Sequence, residues 1–230
     1  LCGRGSRKEE KSLKLIDATT ISLNLNDFKW AKFRRTKGGI KINTRFDYNM
    51  ECADYIFITN ANKHENSTLN DMRLTGNDIA VCDRGYFNKR HFLDFTESAI
   101  SFVTRNKKNV EYEVLSSVTE EKANDDFTIR HDEKIRMKIG NSKKNPDYVT
   151  LRQIVSRDNK TGKEIALLTN MLDTDPLEIA AIYRKRGMLG CTMRRLLVTR
   201  DLSSVPIFMS LVTANPRTFQ RVSSSGTVKL

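Results

Sequence analysis

The strongest constraint on the fold is a succession of short apolar runs, each too brief for a core helix and each closed by turn residues. The first, LKLIDATTISLNL at residues 13–25, is rich in β-branched and aliphatic side chains and carries Asp17 in its middle. Such a run reads as a buried strand and its continuation. Residues 40–46 and 55–59 read as two further strands, the first preceded by the turn signal Gly38-Gly39. IAVC at 79–82 is another, ending in Asp83-Arg84-Gly85-Tyr86, and SFVT at 101–104 follows it. Between these two, residues 89–97 place Phe92, Leu93 and Phe95 at amphipathic-helix spacing. Residues 64–74 are polar, with leucines at helical spacing.

The texture changes over residues 110–168. Short alternating segments at 112–114, 127–130, 135–139, 148–155 and 165–168 are separated by Asn, Asp, Gly and Lys clusters. This predicts a strand-rich insertion built of hairpins. Residues 173–186 then read as a helix, with Asp175 as N-cap, Pro176 in the first turn, and Leu177, Ile179, Ala180, Ile182 and Tyr183 on its apolar side. Past Arg186 the pattern weakens, and the chain closes on Ser223-Ser224-Ser225-Gly226. The expected organisation is a basic lead over 1–12, an α/β core over 13–109, the β-rich insertion over 110–170, the start of a helix over 171–186, and a divergent, loose tail over 187–230. A chain that opens on Leu1 with a polar basic stretch reads as a fragment lacking its N-terminal part.

Charge narrows the partners. Among 230 residues there are 40 Lys and Arg against 28 Asp and Glu, a net charge of +12, which favours a polyanion. Seven cations (Lys29, Lys32, Arg34, Arg35, Lys37, Lys41 and Arg45) lie between Phe28 and Phe46 with no acid among them. They are expected to track phosphates; the interleaved Trp30 and Phe33 read as core residues rather than base-stacking ones. An acidic lipid surface is the weaker partner, since no basic amphipathic helix is present. No apolar run reaches the ~18 residues of a membrane-spanning helix. Cys2, Cys52, Cys82 and Cys191 lack the spacing of a zinc site or disulfide framework. His64, His91 and His131 have no recognisable nucleophile partner, and the absence of a glycine-rich phosphate loop leaves a nucleotide cofactor without support.

Asp17 inside one apolar run and Asp83 at the end of another are the residues with chemical promise. A carboxylate in such a place costs several kcal/mol unless it is paired or holds a cation. If their strands are neighbours, both project from one end of a sheet and can share a hard divalent ion. The other reading has Asp17 facing solvent on an edge strand and Asp83 capping the next helix. Their separation along the chain does not choose between the two.

The order LIDATTISL, FKWAKFRRTKGGIKIN, VCDRGYFN, SFVTRNKKNVEY and LLTNMLDTDPLEIAAIYRKR resembles the DDE transposases of bacterial insertion sequences, in particular the group named after insertion sequence four. The resemblance covers residues 13–186. It implies an RNase H-like mixed sheet flanked by helices, with the β-rich insertion before the last catalytic helix. It also implies metal-dependent cleavage and strand transfer at transposon ends, with Mg²⁺ or Mn²⁺ held by Asp17 and Asp83. Double-stranded DNA, at transposon ends and target, would be the partner of Lys32, Arg34, Arg35, Lys37, Lys41, Arg84, Tyr183 and Arg186. A homodimer on that DNA and a bacterial cytoplasmic, nucleoid-associated setting go with it. The family's third acid belongs to a Tyr-x-x-Arg-x-x-x-Glu pattern, followed seven residues on by Lys. Tyr183 and Arg186 match, but Gly190 stands at the Glu position, Leu197 at the Lys position, and Gly187 where a Trp usually follows the Arg. The implied activity is therefore impaired, with Glu178 the nearest substitute acid on the helix. A shifted reading frame after residue 186 would account for the lost pattern, and a non-catalytic DNA-binding remnant is the alternative function.

Overall fold

The computed structural model describes residues 11–23, 32–34, 37–118, 121–140 and 146–198, and for 32–34, 37 and 188–198 the backbone path alone. A ten-stranded sheet organises them in the order β2-β3-β1-β5-β6-β10-β9-β8-β7, with β4 also paired to β3. The strands are β1 (Ser12–Leu23), β2 (Lys32–Arg34), β3 (Lys37–Asp47), β4 (Cys52–Asn60), β5 (Asp78–Cys82), β6 (Ser101–Arg105), β7 (Glu113–Val118), β8 (Phe127–Ile139), β9 (Asp147–Asp158) and β10 (Glu164–Thr169). Strands β1, β3 and β4 pair antiparallel, whereas β5 and β6 run parallel to β1.

Alternation along β1 splits its side chains between the two faces of the sheet. Leu13 and Leu15 join Val81, Val103 and Leu167 in a core roofed by Ile179, Ala180, Ile182 and Tyr183 of α2 (Pro176–Val198). Ile16 joins Ala80, Cys82 and Phe102 on the opposite face, beneath Phe92 and Phe95 of α1 (Lys89–Glu97). Phe92 stacks on Phe102 with ring centroids 4.8 Å apart. Both helices start where side-chain chemistry supplies a cap. Asn88 accepts from the Arg90 N–H at 3.0 Å, and Asp175 from the Leu177 N–H at 2.8 Å. Burial pushes the Cys82 thiol up to about 12, so it stays a thiol inside the core.

An ionic chain ties the three antiparallel strands together. The Lys14 ammonium reaches Asp47 at 2.5 Å and Asp54 at 2.7 Å, and Asp54 also accepts two bonds from the Arg45 guanidinium at 2.9 and 3.0 Å. Arg45 further donates to the carbonyls of Met72 and Arg73, anchoring the 3-10 segment Glu65–Met72 that the polar, leucine-spaced stretch forms.

Two sequence expectations are corrected. The segments 127–130 and 135–139 are one strand of 13 residues, because a bulge between Ile129 and His131 lets it continue. The strands of the β-rich segment join the same sheet: β10 pairs with β6 on one edge and β9 on the other. The last helix does not stop at Arg186 but runs on to Val198, so the first part of the expected loose tail is helical. Met188, Leu189, Met193, Arg194, Arg195, Leu196 and Leu197 are strong helix formers that outweigh Gly187 and Gly190. The rest of the tail, 199–230, and the lead, 1–10, lie outside the described residues.

Candidate functional site

Strands β1 and β5 pair in parallel with a constant offset. Ser12 faces Asp78 and Leu15 faces Val81, each pair 66 residues apart, and so are Asp17 and Asp83. The two acids therefore stand abreast, two residues beyond the last paired positions of the parallel β1–β5 ladder, Asp83 just past the carboxyl end of β5 and Asp17 in the middle of the longer β1. That end of an open α/β sheet is where ligands ordinarily bind. The β5–β6 ladder extends the row: Cys82 faces Thr104, which brings Arg105 abreast of Asp83. Alternation puts all three on the face covered by α2.

The helix contributes Tyr183 and Arg186, three residues apart and hence on one side of it. One Arg186 nitrogen, Nη2, lies 3.2 Å from Asp17 Oδ1 and 3.6 Å from Asp83 Oδ2. The side chains of Asp17 and Asp83 are 25% and 39% exposed, so they border solvent. Asp17 is on a central strand and Asp83 makes no side-chain capping bond, which removes the solvent-edge and helix-cap reading. Burial opposes charge on Arg186, but Asp83, Tyr183 and Asp17 outweigh it and hold its pKa above the usual value. Burial also pushes the Tyr183 hydroxyl up to about 12, so it remains a donor.

Four buried polar atoms here lack a hydrogen-bond partner among the described residues: Asp83 Oδ1, Arg186 Nε and the hydroxyls of Tyr86 and Tyr183. An orphaned carboxylate oxygen beside a second carboxylate is the donor set that one Mg²⁺ or Mn²⁺ takes, with water completing its shell. Among the described residues no group of three or more His, Cys, Asp or Glu is placed to hold a metal. The residues fit one ion held by two carboxylates, not a pair of ions. Glu178 is exposed on the flank of α2 and supplies no third ligand.

Removing Arg186 leaves two facing carboxylates. Arg186→Met is expected to lower the Tm in EDTA by roughly 2–4 °C, the shift that about 1 kcal/mol produces in a chain of this size. Millimolar Mn²⁺ should recover that loss in Arg186→Met but not in a variant that also carries Asp83→Asn. A Tm indifferent to both changes would show that the two acids do not repel.

The other expected DNA-contacting residues are distributed unevenly. Lys32 and Arg34 lie on β2 and Lys37 starts β3, with only their backbone described; Arg35, Lys29 and Trp30 lie outside the described residues. Arg84 is exposed, with no side-chain partner among the described residues. Lys41 is a correction: it is 8% exposed, donates to the Lys63 carbonyl at 3.0 Å and lies 3.6 Å from Glu65. The 3-10 segment folds over it, so its charge serves the interior rather than a DNA backbone. Glu65 also lies against Gly85, where an added Cβ would press on the far end of its flexible side chain. Arg105 was not singled out from the sequence, although it shares the signal of Asp83: a charged residue closing a short apolar strand.

The fold and this row of charges agree with what the sequence matches: the transposase DDE domain family covers residues 8–216, and the chain belongs to it. That span runs past Arg186, where the quoted motifs end. A putative transposase of Sinorhizobium fredii is 28% identical over 193 residues, 83% of this chain and 53% of that protein. A probable transposase for insertion sequence element IS5377 of Geobacillus stearothermophilus is 24% identical over 193 residues, 80% of this chain and 48% of that protein. The chain thus spans about half the length of these curated relatives. Among the described residues no helix is long and apolar enough to cross a membrane.

Proposed function

We propose that the chain is the catalytic part of a DNA transposase, acting on transposon ends by divalent-metal-dependent cleavage and strand transfer, with its activity impaired. The observation that carries this reading is the convergence of Asp17 and Asp83, abreast on parallel strands and facing a common arginine. The strand order, three antiparallel strands followed by two parallel to the first, supports an RNase H-like core. The Tyr183 and Arg186 pair supports the group named after insertion sequence four.

Asp17 and Asp83 would hold one Mg²⁺ or Mn²⁺, which would supply Lewis-acid activation of an attacking oxygen; without a second ion the leaving oxygen would lack its counterpart, in keeping with impaired activity. Arg186, which pairs with both acids in this structure, would offset the charge on a phosphate's oxygens once an ion takes over the two carboxylates. Tyr183, kept protonated, donates to a phosphate oxygen. The reaction is hydrolysis of a phosphodiester: a water oxygen bonds to phosphorus, and the 3′-oxygen leaves and takes up a proton. That 3′-hydroxyl then loses its proton and bonds to the phosphorus of a target phosphodiester, the target strand's own 3′-oxygen leaves and takes up a proton, and no covalent protein intermediate forms. Lys32, Arg34, Arg35, Lys37 and Arg84 would gather the duplex, and a second copy of the chain would hold the other transposon end.

A non-catalytic DNA-binding remnant is the second reading, favoured by Gly190 and by the lack of a third metal-placed acid among the described residues. Incubation with transposon-end duplex and Mg²⁺ or Mn²⁺ separates the two. Slow nicking, abolished by Asp83→Asn and by Asp17→Asn while duplex binding persists, is the expected result. Nicking that survives Asp83→Asn would exclude this site, and binding with no nicking at all would establish the remnant.

A further inference from the structure

A cavity of about 260 Å³ opens where the end of β6 and the β9–β10 hairpin meet α2. Arg105, Ser156, Lys163, Tyr183, Arg184 and Arg186 line it, so four cations surround a volume that also borders the aspartate pair through Arg186. Two of them are committed elsewhere: Arg184 to Asp126 at 3.0 Å, and Arg186 to Asp17 and Asp83. Arg105 and Lys163 have no side-chain hydrogen bond or ion pair among the described residues, although Arg105 is half-buried. Asp158, also in the lining, stays ionised, because its Oδ1 accepts from the Lys160 N–H and from the N–H and hydroxyl of Thr161; its single negative charge is set against four cations. Tyr183 is 8% exposed, and its hydroxyl is buried without a partner. A buried donor and two uncommitted cations around one cavity are the complement of an anion with several acceptor oxygens.

The geometry points to a phosphate subsite next to the aspartate pair, in which Arg105 and Lys163 hold a backbone phosphate of the bound DNA and Tyr183 donates its hydroxyl to one of that phosphate's oxygens. The subsite rests on the DNA reading above and adds to it the residues that fix the strand's position. The volume falls just under the roughly 300 Å³ at which drug-sized ligand sites begin. It suits a phosphate with its sugar rather than a stacked base pair. The register supports the same placement: Arg105 is the third member of the row begun by Asp17 and Asp83. A strand pinned there runs past the two acids.

The test is fluorescence anisotropy of the whole chain with a fluorescein-labelled duplex over a salt series, with Arg105→Ala, Lys163→Ala, Arg105→Lys and Lys163→Arg. Each alanine variant is expected to flatten the slope of log K against log salt by about 0.9, the counterion release of one phosphate contact. That corresponds to roughly eightfold weaker binding near 0.1 M salt. The charge-conserving variants should keep most of the slope, and inorganic phosphate should raise the Tm of the native chain more than that of either alanine variant. Duplex binding with a slope unchanged in both alanine variants overturns the subsite and leaves the DNA reading standing. Phosphate stabilisation without any duplex binding assigns the cavity to free anions and removes both readings. Loss of slope in Ala and Lys/Arg variants alike would mark a structural role and also overturn it.

Discussion

Replacing Gly190 by glutamate is expected to raise metal-dependent cleavage of transposon-end DNA by about 10²–10³-fold, the size of effect one well-placed charged group commonly has on a reaction step. Residue 190 lies one turn beyond Arg186 on α2, and the helix continues through it to Val198. Positions four apart on a helix share a side, so a carboxylate there faces the same way as Arg186. It would stand where the pattern begun by Tyr183 and Arg186 places its third acid. Glutamate also favours the helix over glycine by somewhat under 1 kcal/mol, so a gain in stability accompanies the added charge. Gly190→Gln carries the same propensity gain without the charge and serves as the control. Equal cleavage by the Glu and Gln variants would show that the missing carboxylate is not what limits this chain.

The largest expected loss of stability comes from Lys14→Met. Lys14 is the one cation bridging Asp47 and Asp54, with side chains 10%, 7% and 17% exposed. Deleting one partner of a buried ionic cluster strands the others, at a cost of roughly 3–5 kcal/mol. Urea unfolding of Lys14→Met should show that loss, and a Lys14→Met, Asp47→Asn double variant should recover part of it. Additive losses in the double variant would refute the coupling. The pH dependence follows from the same cluster. Burial raises the pKa of Asp47 and Asp54, but bonds from Lys14 and Arg45 outweigh it, and both lie below their usual 3.8. Their contribution is therefore complete above the unfolded-state value and lost as pH falls through the depressed folded one. Lys14, with burial opposed by the two aspartates, lies above its usual 10.5. Its contribution is complete below that value and fades as pH climbs through the raised one.

Much of this architecture was legible because strands announce themselves by composition. The boundaries of β5, β6 and α1 follow from apolar runs ending in turn residues, and Asp17 and Asp83 stood out as carboxylates that an apolar run does not tolerate unpaired. What the sequence withheld is lateral. Nothing in the 66 residues between the acids reveals that their strands pair, or with what offset. Arg105 escaped notice for the same reason: its importance comes from the strand beside it. Lys41 was misread because a run of cations looks solvated, and the 3-10 segment that covers it comes from residues more than twenty positions away. The continuation of α2 past Arg186 was obscured by Gly187 and Gly190, whose local cost the neighbouring helix formers overcome.

Because the acids are aligned by hydrogen-bond pairing rather than by the length of chain between them, the connection from β1 to β5 is free to drift. A duplication or trimming in the turn joining β3 to β4 would alter how far apart the two aspartates are numbered without moving either by an ångström. A single-residue slip of β5 against β1 would do the opposite, leaving the numbering intact and turning the second aspartate to the wrong side. Recognising such chains by counting positions is thus fragile; the durable signature is which rung of the ladder each charge occupies.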